Sequence, residues 1–162
     1  MWARSIGPRT KRLVDRVVGM PYNDGMNKQL HGRVAAIALG TRIWVQERAD
    51  RKNYHPEDLE GWCAIASAEL HKRLTAEGIA ADIHMWVSEW HECHCFCVVD
   101  DYVVDVTATQ FKPFRTQELV IMHYKEAEAY EMYQSTNVFS DASELRRFQK
   151  RDRWPSDQIC FS

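Results

Sequence analysis

Residues 79–107 read IAADIHMWVSEWHECHCFCVVDDYVVDVT, and the fold turns on how they are parsed. Ile79, Ala81, Ile83, Met85 and Val87 alternate with Ala80, Asp82, His84 and Trp86, the period of two that marks a half-buried strand. A polar, aromatic loop (SEWHE) follows. CHCFCVV and YVVDVTA then read as two short strands around Asp100-Asp101, which is hairpin spacing with a weaker turn signal than Asp-Gly. With those two residues as the turn, His94 faces Thr107 and Phe96 faces Asp105. His94 and Asp105 become diagonal neighbours on one face, roughly 7–8 Å apart at the backbone, within reach of an imidazole–carboxylate hydrogen bond. A slip of one residue in the turn would part them, so the pairing depends on register.

Upstream the period is helical. In NKQLHGRVAAIALGTRIWV, Leu30, Val34, Ile37, Ala38 and Trp44 or Val45 mark one buried face, with Gly40 as a point that ends or weakens the helix. Pro56-Glu57-Asp58 reads as a loop or a short turn of helix. After Gly61, the run WCAIASAELHKRLTAEG carries a second stripe of Cys63, Ala66, Leu70 and Leu74. Gly78 is placed to close it in a left-handed cap, with Ile79 as the hydrophobic contact. Downstream, ELVIMHY suggests a further strand. KEAEAYEMY and DASELRRFQKR suggest helices, the latter opened by Asp141 with Glu144 three residues on. Helices, then an antiparallel sheet, then short helices make an α+β domain over 1–162, with its core at about 55–125.

The chain has 162 residues, 45% of them hydrophobic and 27% charged, which suits one globular domain. A net charge of −2 gives no chain-wide field for nucleic acid or an anionic membrane, so neither is an expected partner. No apolar run approaches the roughly 20 residues of a membrane span. Arg and Lys break MWARSIGPRTKRLVDRVV too often for a signal-peptide core. Both ends are basic (Arg4, Arg9, Lys11, Arg12 and Arg16; Arg146, Arg147, Lys150, Arg151 and Arg153), as solvated helix faces or as a docking patch. The five cysteines are odd in number, and Cys93, Cys95 and Cys97 crowd together, unlike a secreted disulfide framework. The expectation is a soluble, cytoplasmic protein with reduced thiols.

Cys63 differs from the other four. It falls in the first turn of its helix, where free amides and the helix dipole stabilise a thiolate and depress a thiol pKa from its ordinary value of about 8.5. Its own backbone N–H can serve as half of an oxyanion hole. The alternative is a buried structural cysteine. A thiol on a helix tip, a histidine on a strand and an acid on the next strand satisfy nucleophile, base and orienter.

The order Cys63, His94, Asp105 resembles that of the papain-like and transglutaminase-like cysteine enzymes, especially compact microbial papain-fold effectors and toxin domains. The resemblance spans Gly61 to about Phe111 and is carried by GWCAIASAELHKRL and HCFCVVDDYVVDVTATQF. It implies Cys63 as nucleophile, His94 as base and acid, and Asp105 as orienter. No Gln stands shortly before Cys63 to donate to an oxyanion; Asn53 or the Trp62 indole could substitute, and Gln110 is a further polar candidate. Trp86, Trp90 and His91 are candidates for lining the groove, or plain core and rim aromatics.

The expected reaction is thiol-dependent cleavage or transfer at an amide or thioester through an acyl-enzyme. Water as acceptor gives proteolysis, isopeptide cleavage or glutamine deamidation; an amine gives transglutamination. The expected substrate is a protein or peptide, and no cofactor is implied. One alternative is a non-catalytic protein of the same fold that binds a partner through its aromatic loop or basic ends. Another is a zinc-stabilised module built on His91, Cys93, His94, Cys95 and Cys97. Strand geometry opposes it, because Cys93, Cys95 and Cys97 point to one face and His94 and Phe96 to the other, and the three cysteines read instead as small apolar fillers beneath the helix that carries Cys63. His84 is simplest as a solvent-facing residue.

Overall fold

A computed structural model describes residues 26–52 and 59–160. The expectations for Asn53, for the Pro56-Glu57-Asp58 turn and for the basic stretch Arg4 to Arg16 lie outside those residues.

Helix α1 (Lys28–Arg51) starts at Asn27, whose side chain accepts from Gln29 N at 2.8 Å. It buries Val34, Ala35, Ala38, Val45 and Ala49. The helix does not end at Gly40. An interior Gly costs about 1 kcal/mol against Ala, less than the burial of a single aliphatic side chain returns, and two buried apolar residues, Val45 and Ala49, lie beyond it. Helix α2 (Cys63–Ala76) ends as its sequence indicates: Gly78 has φ +71°, Ile79 N donates to Leu74 O at 3.0 Å and Gly78 N to Thr75 O at 3.0 Å. That pair of bonds is a Schellman motif, and Ile79 buries itself behind it.

Five antiparallel strands follow, β1 (Asp82–Val87), β2 (Cys93–Val99), β3 (Tyr102–Asp105), β4 (Val120–His123) and β5 (Asn137–Phe139), in the spatial order β4-β3-β2-β1-β5. The fold is α+β. The β2–β3 register is Val99↔Tyr102, Val98↔Val103 and Cys97↔Val104, with Asp100 and Asp101 both at positive φ (47° and 64°). Two left-handed central residues suit the right-handed twist of a two-residue hairpin, and Asp is among the few residue types that adopt them readily.

One sheet face packs against α1, α2 and the C-terminal helix α4 (Ala142–Arg151) through Val34, Ala38, Ala66, Leu70, Ile83, Met85, Cys95, Cys97 and Leu145. This core reaches further than residues 55–125, since Val34 and Val45 join it from one end and Phe139, Leu145 and Cys160 from the other. The opposite face carries a second cluster: Phe96, Val103, Ala108, Phe114, Val120, Ala127 and Tyr133.

Helix α4 opens at Asp141, which accepts from Glu144 N at 2.9 Å, while the Glu144 carboxylate returns to Ser140 N and Oγ rather than to Asp141. The helix expected over KEAEAYEMY is instead a single turn, α3 (Tyr124–Ala127), followed by a 3-10 turn at Glu131–Tyr133. Breaking there swings Tyr133 into the second cluster, a tertiary gain that overrides local helix propensity. Strand β5 was not anticipated. His84 is half-buried, not solvent-facing: its Nδ1 lies 2.6 Å from Ser135 Oγ, which is 2.7 Å from Tyr124 OH. Among the described residues no helix is long and apolar enough to cross a membrane.

Candidate active site

Three pieces of local structure converge at the top of β2. Gly61 holds φ +80°, a conformation that favours glycine, and turns the chain into α2. Trp62 occupies the N-cap with no side-chain cap bond, so the first-turn amides are not screened by a capping oxygen from that residue. Cys63 is the first helical residue, 4% exposed.

His94 is fully buried near the start of β2. Its Nε2 donates to Asp105 Oδ2 at 2.7 Å, the contact expected from the hairpin register. That leaves the second ring nitrogen, Nδ1, free of Asp105, and the imidazole and the Cys63 sulfur lie close enough for each to shift the other's pKa. Asp105, at the end of β3, receives three further bonds: Thr107 N (2.8 Å) and Thr107 Oγ1 (3.1 Å) to Oδ1, and Tyr133 OH (2.8 Å) to Oδ2. Its carboxylate is thus fully engaged with nothing left for water, and it acts on the ring alone. The segment after Asp105 is pinned by the buried Arg42, whose Nη1 donates to Val106 O at 2.8 Å and Thr109 Oγ1 at 3.0 Å.

Consecutive strand residues point to opposite faces, yet Cys63 contacts both His94 and Cys95. Pairing with β3 stops at Cys97↔Val104, so His94 and Cys95 pair with β1 alone.

The electrostatics follow from those contacts. A hydrogen bond from the Cys95 thiol is the strongest influence on Cys63; burial opposes it, but the bond and the charge of His94 add to it, and the Cys63 pKa is driven well below an ordinary thiol's. Burial pushes His94 down, while the Asp105 charge and hydrogen bond and the Cys63 sulfur together lift it to about 9. The favoured state is a thiolate–imidazolium pair. The other thiols move the opposite way: burial pushes Cys93 up to about 12, and donation to Cys63 raises Cys95. Cys97 donates to Ser67 O at 3.3 Å. Cys95 and Cys97 are core fillers as expected of them, but Cys95 also interacts with the Cys63 sulfur. Cys93, also expected as a filler, borders the cleft instead.

Cys63 opens onto a cleft of about 620 Å³ lined also by Glu60, Trp86, His91, Phe111, Trp154 and Gln158. A second cavity of about 340 Å³ shares His91, Cys93, Trp154 and Gln158 with it, so the two adjoin along one groove face. Of the residues singled out by sequence, Trp86, His91 and Gln110 border the cleft. Gln110 Nε2 donates to Thr107 O at 2.9 Å and lies 3.5 Å from His94 Nδ1, on the imidazole side. Trp62 is instead buried beside a different cavity with Arg48, Lys52 and Ile159, and Trp90 is 84% exposed and borders neither cavity of the groove. Sequence reasoning missed Tyr133, Trp154 and Gln158. No spacing rule connects the last two to Cys63, because the C-terminal segment returns to the site only through tertiary packing. Among the described residues no three His, Cys, Asp or Glu side chains gather so as to hold a metal ion, and the alternation of Cys95 and Cys97 against His94 and Phe96 across β2 separates the ligands that a zinc module would need.

Comparison with known proteins adds no relative: no family model, no curated protein and no solved structure matches this chain.

Proposed function

We propose that the protein is a thiol-dependent amide hydrolase or acyltransferase that works through an acyl-enzyme on Cys63. One observation carries this reading: His94 sits between the helix-tip thiol of Cys63 and a carboxylate, Asp105, with the imidazole–carboxylate bond at 2.7 Å and the thiol at the mouth of a groove. The contact supplies nucleophile, proton carrier and orienter in one place.

In the forward step the Cys63 thiolate adds to a carbonyl carbon, and the carbonyl π electrons move to oxygen. The Cys63 backbone N–H, at the start of α2, faces that developing charge. Collapse of the tetrahedral species breaks the bond to the leaving amine, which takes the proton from His94 Nδ1. A water or a second amine then enters. Neutral His94 removes its proton as it attacks the thioester carbonyl, and the thiolate departs. Asp105 keeps Nε2 protonated throughout, so that Nδ1 alone exchanges protons. Two adjoining cavities beside Cys63 suit an extended polypeptide better than a compact metabolite.

The test is the order in which the five thiols react. With limiting iodoacetamide at about pH 6, Cys63 is alkylated first and His94→Ala slows that reaction. Uniform labelling, or preference for an exposed thiol over Cys63, would overturn the proposal.

A further inference from the structure

The C-terminal segment of the described chain is fastened across the candidate active site by several devices. Helix α4 ends with Arg153 at φ +57°, Trp154 N donating to Gln149 O at 3.0 Å and Arg153 N to Lys150 O at 3.3 Å. This is the same helix-ending bond pattern seen at Gly78, with a side-chain-bearing residue in the left-handed position, and it turns Trp154 back toward the groove. Pro155 O then accepts from Gln158 N at 3.0 Å. Gln149, completely buried, clamps the segment beyond with both ends of its amide: Nε2 donates to Gln158 O at 3.0 Å and Oε1 accepts from Cys160 N at 2.9 Å. Cys160 is itself buried in the main core.

The outcome is a fixed backbone at Gln158 with its side chain left over. That side chain packs on Gly61, two residues before the nucleophile: a Cβ added at Gly61 would lie 3.5 Å from Gln158 Nε2 and 3.9 Å from its Cδ. It borders the cleft that holds Cys63. No hydrogen bond among the described residues engages its amide nitrogen, in contrast to Gln110, whose Nε2 donates to Thr107 O. A carbonyl under attack by Cys63 needs donors where its oxygen becomes negative, and one backbone N–H is half of such a site.

We propose that Gln158 is the side-chain donor of the oxyanion hole, delivered from the C-terminal end of the chain rather than from a position ahead of the nucleophile. This rests on the acyl-enzyme reading of Cys63 and adds a catalytic residue to it. The amide N–H approaches the helix tip from the Gly61 side and donates to the oxygen as the tetrahedral species forms. Gln149 positions it without touching substrate.

Two reactions of the same thiol separate this role from a structural one. Alkylation by iodoacetamide displaces iodide and develops no oxyanion; acylation by p-nitrophenyl acetate passes through one. Both rates are measured at Cys63 by peptide mapping in the intact protein and in Gln158→Ala and Gln158→Met. The Met variant keeps the side chain's length, its neutrality and the backbone that Gln149 holds, but loses the N–H donors. The expected result is acylation slowed on the order of 10²–10³-fold in both variants, with alkylation unchanged. Acylation that is unaffected, or that falls only in step with alkylation, overturns the role of Gln158 while leaving the nucleophile intact. A wild-type protein alkylated but never acylated at Cys63 overturns the acyl-enzyme reading as well.

Discussion

Tyr133 donates its phenolic proton to the same oxygen of Asp105, Oδ2, that receives the His94 imidazole, at 2.8 Å against 2.7 Å for the histidine. The tyrosine is completely buried and its ring packs edge-on to Phe96. It therefore fixes the direction of the carboxylate lone pairs and, through them, the plane of the ring that serves Cys63.

Tyr133→Phe keeps the ring and removes the hydroxyl. One donor to a buried carboxylate is lost, and the expected destabilisation is about 1–3 kcal/mol by denaturant unfolding. Acylation of Cys63 slows as well, by less than in an Asp105 variant, because the His94–Asp105 bond survives. Unchanged stability together with an unchanged acylation rate would remove Tyr133 from the site.

Asp105→Asn tests the orienter. Burial alone would raise the Asp105 pKa; the His94 charge and bond, with donation from Thr107 and Tyr133, outweigh it and hold the carboxyl below its usual range. A depressed folded-state pKa means stabilisation that is fully present above the unfolded carboxyl's value of about 3.9 and is lost as pH falls through the folded value. The Asn variant loses that acid-side dependence. It also removes the charge that lifts His94 to about 9, so the imidazolium gives up its proton at lower pH. Acylation drops on the order of 10²–10⁴-fold. The readouts are urea unfolding across the acid range and the pH–rate profile; an acid limb as steep as the wild type's would contradict the assignment.

Cys95 is the buried neighbour whose thiol hydrogen supports the Cys63 thiolate. Cys95→Ala deletes that donor, and the pH at which Cys63 becomes alkylatable moves up. Cys95→Ser restores an O–H donor and brings it most of the way back. If Ala and Ser behave alike, Cys95 is packing alone.

Overall turnover of the acyl-transfer reaction is expected to be bell-shaped. It rises as pH climbs through the low Cys63 pKa and falls as His94 loses its proton near 9. Iodoacetamide, which needs no proton donor, shows the acid limb without the alkaline fall. A shared alkaline fall in both reactions would contradict the division of labour between thiol and imidazole.

Local chemistry explains which parts were legible beforehand. Asp100-Asp101 sets the hairpin register, and the register brings His94 to Asp105; both follow from a period of two and a two-residue turn. The ends of α2 were equally open, because Gly78 is required where φ is +71° and Ile79 must be buried after it. The break after Ala127 was hidden, since KEAEAYEMY has strong helix formers and the gain from burying Tyr133 against Phe96 and Asp105 lies across the sheet. Strand β5 has only three residues in a polar context, and its pairing with β1 joins segments about 50 residues apart in the chain. Gln158 was invisible for the same reason: its place beside Gly61 is set by the Gln149 clamp, a contact with no sequence signature.

The central claim is that Cys63 is ionised when the ordinary thiols are not. Its direct measurement is the ultraviolet thiolate absorbance of the wild-type protein minus that of Cys63→Ser, followed through a pH titration. The account predicts a difference signal already developed at about pH 6 and lost only in stronger acid. A difference signal that first develops at about pH 8.5 or above, where an unassisted thiol ionises, would contradict it.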